Sequence, residues 1–353
     1  METSTSNRAQ LTGHHPRAGV AWKTCARGAL LLIAGAQRTS GRSAWLCAAL
    51  LLLMGASSPQ MPGSAGSAPV SVPAREPITP VPQPPPADPL KLRLGASLFA
   101  DPRLSHDGSL ACSSCHDVHT NGADDGHRNV ARDGSKMRLT TLSVFNATLS
   151  FRLNWEGNFR TLEAQAQSSL ENPANMNTSV DEVLGKLKSD PREVKQFQDA
   201  YGHAPDRESL LDALVTYERS LVTPGSRFDE WLQGDRQALT AEELAGYKLF
   251  KSLGCVSCHQ GVNVGGNLYE RHGIFHPLGS PKPEILRVPS LRNVATMAPY
   301  FHDGSATTLD DAVHKMALAQ LDRKLSDQQV QLIVAFLKTL TGTFQGKPVT
   351  VAP

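Results

Sequence analysis

Apolar residues recur along most of this chain at helical spacing, while strand-like alternation is nearly absent. Leu90, Leu94 and Leu98 repeat one turn apart behind Asp88-Pro89, a capping acid with proline at the first helical position. Asp101-Pro102 closes that segment. Ser179 and Glu182 make a capping box ahead of Val183, Leu184 and Leu187. Asp190-Pro191 opens a helix carrying Val194, Phe197 and Tyr201, ended by Gly202. Asp206 caps a longer one with Leu210, Leu214, Tyr217 and Leu221, stopped before Pro224. Thr240 with Glu243, then Thr308, then Ser326 with Gln329 start three more, the last facing inward through Val330, Ile333, Val334 and Leu337. The pattern predicts an all-α fold.

Two stretches outside the helices carry the chemistry: Cys112-Ser113-Ser114-Cys115-His116 and Cys255-Val256-Ser257-Cys258-His259. Two thiols and an imidazole in one turn can bond the vinyl groups of a haem and ligate its iron. Structural zinc would want a second pair of ligands close by, and a disulfide gives no reason for the histidine to follow twice. Two covalently bound c-type haems are therefore expected, held by Cys112, Cys115 and His116 and by Cys255, Cys258 and His259.

The chain then divides by composition. Residues 1–57 carry six Lys and Arg against one acid, Glu2, and end in the apolar run Ala44–Ala56, which suits a signal peptide and is short for a membrane span. An uncleaved signal anchor is the alternative; either way the body is expected in the periplasm. Without the leader, 29 basic and 32 acidic residues leave the remainder near −3, which argues against nucleic acid as a partner. Cys25 and Cys47 fall in the leader, so all four remaining cysteines belong to the CxxCH turns. Residues 58–87, rich in Pro, Ser and Ala, read as a tether with no core of its own. Residues 88–235 and 236–345 read as two cytochrome c-like domains, each with one haem, followed by a tail, 346–353. Leu142-Ser143-Val144-Phe145-Asn146 after the first turn is echoed by Pro289-Ser290-Leu291-Arg292-Asn293 after the second, which points to duplication. The second iron needs a sixth ligand or an open site, and the residues alone leave Met297 and Met316 as equal candidates.

Over about residues 88–345 the chain resembles the bacterial dihaem cytochrome c peroxidases, MauG-type enzymes included. The resemblance rests on Leu98–Ser105, both CxxCH turns, Trp155-Glu156-Gly157, Leu162–Ala166, Asn172-Pro173, Val288–Asn293, Ala298–Gly304, Lys315-Met316-Ala317 and Val334–Leu340. It implies Met316 as the ligand of a high-potential second haem, the first haem as the site of hydrogen peroxide reduction, and Trp155 as a relay between them. Electrons would come from a small cytochrome c or a cupredoxin, and a homodimer is among the assemblies it allows. Gln165 matches the family glutamine beside the peroxide. Asn175 stands where the family has glutamate, and an amide can hydrogen-bond a peroxide but cannot act as a base. Glu163 and Glu171 are the carboxylates that could compensate. Arg132 occupies the place of a distal histidine, with His119, His127 and Met137 as substitutes in the same loop, so a five-coordinate first iron is expected. The family's calcium ion would meet the carbonyls of Met297 and Pro299, with Thr140 in place of an asparagine. Two rivals stand beside the peroxidase reading: a MauG-like oxidase of another substrate, and a dihaem electron-transfer protein without catalysis.

Overall fold

Helices form where the caps and the apolar spacing predict them. A computed structural model of the chain describes residues 76–123, 131–279 and 282–352. The expected leader, the linker before residue 76 and His127 lie outside the described residues. In chain order come α1 (Pro89–Phe99), α2 (Leu162–Glu171), α3 (Val180–Lys188), α4 (Pro191–Tyr201), α5 (Arg207–Ser220), α6 (Arg227–Leu232), α7 (Ala241–Ser252), α8 (Leu309–Leu321) and α9 (Asp327–Lys338). Each starts on a side chain that accepts an otherwise orphaned N–H, as Asp88 does from Leu90 and Thr240 from Glu243. Two short antiparallel pairs complete the set: β1 (Tyr269–Arg271) with β2 (Ile285–Arg287), and β3 (Thr343–Phe344) with β4 (Lys347–Pro348). Among the described residues no helix is long and apolar enough to cross a membrane.

Two cores form. Leu98, Leu104, Leu187, Phe197 and Leu210 close the first around α1, α3, α4 and α5. Phe228, Tyr247, Phe336, Ile333 and Leu340 close the second around α6, α7 and α9. Each is built on one tight helix crossing with a glycine at its centre. A Cβ on Gly95 in α1 would lie 2.0 Å from the Ala213 carbonyl oxygen of α5, and one on Gly246 in α7 would lie 1.9 Å from that of Leu332 in α9. Only glycine lets the backbones approach so closely.

The chain ends depart from the expected division. The proline-rich segment is not a free tether throughout: Ile78 and Val81 are 1% and 3% exposed, and Ile78 belongs to the second core. The Pro77 carbonyl accepts from the Gly261 N–H at 2.8 Å and the Thr79 carbonyl from Arg292 Nη2 at 2.8 Å. Glu76 bonds the Tyr247 hydroxyl at 2.6 Å and Lys251 at 2.9 Å. Two apolar residues among prolines suffice, because prolines hold the segment extended and leave few N–H groups to satisfy. At the other end, Phe344 packs on Phe145 with ring centroids 5.1 Å apart, and Val349 of the expected tail is buried in the first core. The segment preceding the first core thus packs on the second core, and the segment following the second packs on the first.

Candidate active site

Both CxxCH stretches fold into the same object. Cys112–Ser114 and Cys255–Ser257 are single 3-10 turns, and each histidine N–H donates to the carbonyl of the first cysteine at 3.0 Å. The His116 Nδ1–H donates to the Gly122 carbonyl and the His259 Nδ1–H to the Val264 carbonyl, both at 3.2 Å. This bond fixes the tautomer, so Nε2 carries the basic lone pair. Burial pushes His259 down to about 4, with the Val264 and Pro289 carbonyls opposing, and the ring is therefore neutral.

The sequence echo becomes a shared scaffold. Ser143 Oγ donates to the Asn121 carbonyl at 2.7 Å, and Ser290 Oγ to the Asn263 carbonyl at 2.8 Å. Asn146 and Asn293 both adopt left-handed backbone angles, φ 62° and 60°, and both donate their side-chain amides to Thr223 Oγ1, at 2.8 and 3.0 Å. Thr223 therefore joins the two halves at their duplicated asparagines.

The donor sets suit haem attachment. Cys112, Cys115, Cys255 and Cys258 are half-buried reduced thiols. Burial pushes Cys112 up to about 12, with the charge of Glu218 adding to it, and Cys255 up to about 11. Two thiols and one imidazole in a single turn supply the three contacts that haem attachment needs. Among the described residues no three Cys, His, Asp or Glu side chains gather as a metal cluster. Met316 is half-buried on α8, and Met297 is half-buried at the end of a 3-10 turn against the second core.

Gln165, expected beside the peroxide, is half-buried on α2 and donates from Nε2 to Ser169 Oγ at 2.9 Å. Asn175 is half-buried in the turn that follows α2, its N–H on the Asn172 carbonyl at 3.0 Å. The loop carrying Arg132 does reach this turn, since the Arg132 N–H donates to the Ala174 carbonyl at 2.8 Å. Its guanidinium points away, to Asp107 at 3.0 Å. His119 is exposed and Met137 half-buried. Of the two carboxylates expected to compensate for the missing glutamate, Glu163 pairs with Arg219 at 2.9 Å and Glu171 accepts from Gln167 at 2.7 Å.

Trp155 lies in the seam between the halves. Its indole N–H donates to the Thr140 carbonyl at 2.8 Å, its own carbonyl accepts from the Arg287 N–H at 2.7 Å, and its ring meets His302 edge-on at 6.5 Å. Thr140 is occupied there too: its N–H donates to the His302 carbonyl at 2.7 Å and its hydroxyl to the Phe301 carbonyl at 3.3 Å. Sequence reasoning did not single out Arg287, Tyr269 or His302, which line this seam. The available signal was a lone arginine between the buried Leu286 and Val288.

The family described as di-haem cytochrome c peroxidase matches residues 89–237, and cytochrome c matches residues 244–341. A cytochrome c551 peroxidase of Nitrosomonas europaea is 38% identical over 285 residues, 76% of this chain and 85% of that protein. A cytochrome c peroxidase of Escherichia coli is 38% identical over 76% of this chain and 62% of its own length. A solved MauG-like protein associated with microbial copper homeostasis superposes with a TM-score of 0.63 at 26% identity, covering 78% of this chain and 96% of that one.

Proposed function

Because the chain belongs to the bacterial di-haem cytochrome c peroxidase family, we propose that it reduces hydrogen peroxide to water with electrons from a small periplasmic redox protein, a cytochrome c or a cupredoxin. One peroxide consumes two electrons and two protons and yields two waters. The observation that carries the reading is the paired attachment turn, with the same carbonyl bond orienting the imidazole in each half. Bound haem supplies the redox-active iron that the peroxide meets.

In this reading residues 88–235 and 236–345 are the two cytochrome c-like units, with α6 at the end of the first stretch packed into the second core. Cys112 and Cys115 attach the first haem and His116 ligates it. Cys255 and Cys258 attach the second, with His259 and Met316 as its axial ligands. Gln165 and Asn175 hydrogen-bond the peroxide, and protons reach it from water, since an amide cannot exchange one as a base. Trp155, fixed at its indole N–H and its carbonyl, is the relay between the halves. A calcium ion would meet the Met297 and Pro299 carbonyls, beside a Thr140 hydroxyl that donates to the Phe301 carbonyl and keeps its oxygen lone pairs. The basic, apolar leader supports a periplasmic location, by cleaved signal or by anchor. Asn175 favours a second reading, oxidation of another substrate in the manner of MauG.

Steady-state peroxide consumption with a reduced small cytochrome separates the two. Donor oxidation that depends on peroxide supports the peroxidase, and its absence overturns it. A high-spin ferric signal from the first haem of the oxidised protein is the expected companion, and its absence counts against an open iron.

A further inference from the structure

Arg287 is a buried cation without a counter-ion among the described residues. It is 7% exposed, and each nitrogen of its guanidinium donates to a neutral carbonyl. Nε meets Asn154 at 3.1 Å, and the two terminal nitrogens meet Gly266 and Arg152. Its backbone N–H adds a fourth bond, to the Trp155 carbonyl at 2.7 Å. The other buried arginine, Arg292, has Asp229 at 2.8 Å. Burying a charge without such a partner is costly, which points to a use for the charge and for the rigid fork that carries it.

Three of the four acceptors, the carbonyls of Arg152, Asn154 and Trp155, belong to the loop that presents the tryptophan. The fourth, Gly266, follows Gly265, where a Cβ would lie 3.1 Å from His259 Nδ1. One residue thus ties the tryptophan of the first half to the loop behind the second imidazole. Tyr269, paired with Arg287 across β1 and β2, closes the other side of the loop. Its ring centroid lies 5.4 Å from the guanidinium carbon, and a Cβ on Gly157 would come within 2.6 Å of its hydroxyl. The Leu153 N–H on the Phe159 carbonyl, at 2.8 Å, shuts the loop on itself.

Two features of this seat disfavour an oxidised tryptophan. The indole N–H donates to the Thr140 carbonyl, which accepts a hydrogen bond but does not take up the proton. Loss of an electron would therefore leave a radical cation with its proton in place. The buried positive charge of Arg287, bonded to the same loop, opposes that second positive charge in a medium that screens poorly.

We propose that Arg287 is a positioning residue for Trp155, which fixes the indole against the loop behind His259 and keeps it reduced, so that it conducts an electron without holding oxidising charge. The inference deepens the relay reading above and rests on it. One electron passes from the second haem to the first, and Trp155 ends unchanged, its N–H still donated to Thr140.

The test uses the dihaem protein, Arg287→Lys, Arg287→Gln, Trp155→Phe and the double variant Arg287→Gln/Trp155→Phe. After a reducing pulse without peroxide, electron redistribution between the haems is expected to slow about tenfold or more in Arg287→Gln. It should slow by less in Arg287→Lys, whose single ammonium cannot reach all three carbonyls. Freeze-quenched electron paramagnetic resonance after peroxide meets the oxidised protein should show no tryptophan radical in the parent or Arg287→Lys. Arg287→Gln should show one, and the double variant should lose it.

An unchanged transfer rate in Arg287→Gln, where Trp155→Phe slows it, overturns the proposal and leaves the relay standing. An unchanged rate in Trp155→Phe removes the relay reading and the proposal with it. A slower Arg287→Gln without a radical makes the arginine a scaffold residue only, and a radical already present in the parent denies that its charge keeps Trp155 reduced; either overturns the proposal. If Arg287→Gln fails to fold, an unchanged rate in Arg287→Lys or a radical in the parent overturns it. Peroxide left unconsumed by the parent would remove the peroxidase reading, and the reducing-pulse rates, which need none, would then decide the role of Arg287.

Discussion

The two halves share their scaffold and differ in how they are sealed. Each has a glycine at a helix crossing, an imidazole tied to a loop carbonyl, a serine on the loop behind it, and an asparagine bonded to Thr223. The second half adds an aromatic core of Phe228, Trp231, Tyr247, Phe250 and Phe336, a strap from residues 76–81, and a sealed ion pair. His259 lies within it, 8% exposed. The corresponding ion-pair network of the first half is only partly sealed: Arg103, 35% exposed at its side chain, meets Asp101, Asp190 and the buried Glu193. In the proposed reading the repeated features attach a haem and the unshared ones set what each haem can do. A dry, rigid surround suits a site that stores an electron, and an open polar one suits a site that admits peroxide.

The sealed pair is where that contrast breaks most easily. Asp229 Oδ1 accepts from Arg292 Nη1 at 2.8 Å and from the Val81 N–H at 3.3 Å, and both side chains of the ion pair are 1% exposed. Asp229→Asn is expected to cost about 3–5 kcal/mol, since it leaves a buried arginine uncompensated and loosens the strap. Asp199→Asn, at the exposed pair with Lys195 in the first half, should cost under about 1 kcal/mol. Denaturant unfolding of the dihaem protein measures both. Equal costs would mean the halves do not differ in sealing.

The glycine crossings test what is shared. Gly95→Ala and Gly246→Ala each push a methyl group into a carbonyl oxygen, and each should destabilise by about 1–3 kcal/mol. Near-equal costs sharpen the duplication. A cost confined to one half would mean the crossings only look alike.

Much of the scaffold was legible. Caps and apolar spacing are local signals, so α1, α4, α5, α7 and α9 could be read from single segments. The CxxCH turns and the asparagine echo were legible as pattern, although nothing local says that Asn146 and Asn293 meet at one threonine. The strap was misread because proline composition speaks for extension while burial of Ile78 and Val81 depends on residues 148 and 213 positions away. Arg287 and Tyr269 were invisible for the same reason: their meaning lies in carbonyls contributed by another part of the chain.

Asn175 offers the next test of the open half. In the proposed reading Asn175→Glu restores a carboxylate at the peroxide, and general acid–base catalysis commonly contributes a hundredfold or more. Turnover with peroxide should rise on the order of tenfold, with a new acid limb in its pH profile. An unchanged rate at every pH would mean that proton transfer at this position does not limit the reaction.

The smallest effect concerns Glu218 on α5, an acid on the first half with no counterpart acting on Cys255. The stem reaches the surface, but Oε2 is sealed and has no hydrogen-bond partner. Burial pushes the carboxyl up to about 8, the charge of Glu163 adds to this, and Arg219 opposes it. The folded protein thus holds a proton that the unfolded chain releases near its ordinary value of 4.5. Its contribution is fully present below the unfolded value and is lost as pH rises through the folded one. Between those two values stability falls with pH, by at most about 1.4 kcal/mol per unit. Glu218→Gln stays neutral throughout, so it should match the parent at low pH and exceed it increasingly as pH rises. Unfolding midpoints of both proteins across that window, at one ionic strength, measure the divergence. Parallel curves would show that Glu218 is ionised in the fold, and the first half would then be no different from the second in holding a buried proton beside its attachment cysteine.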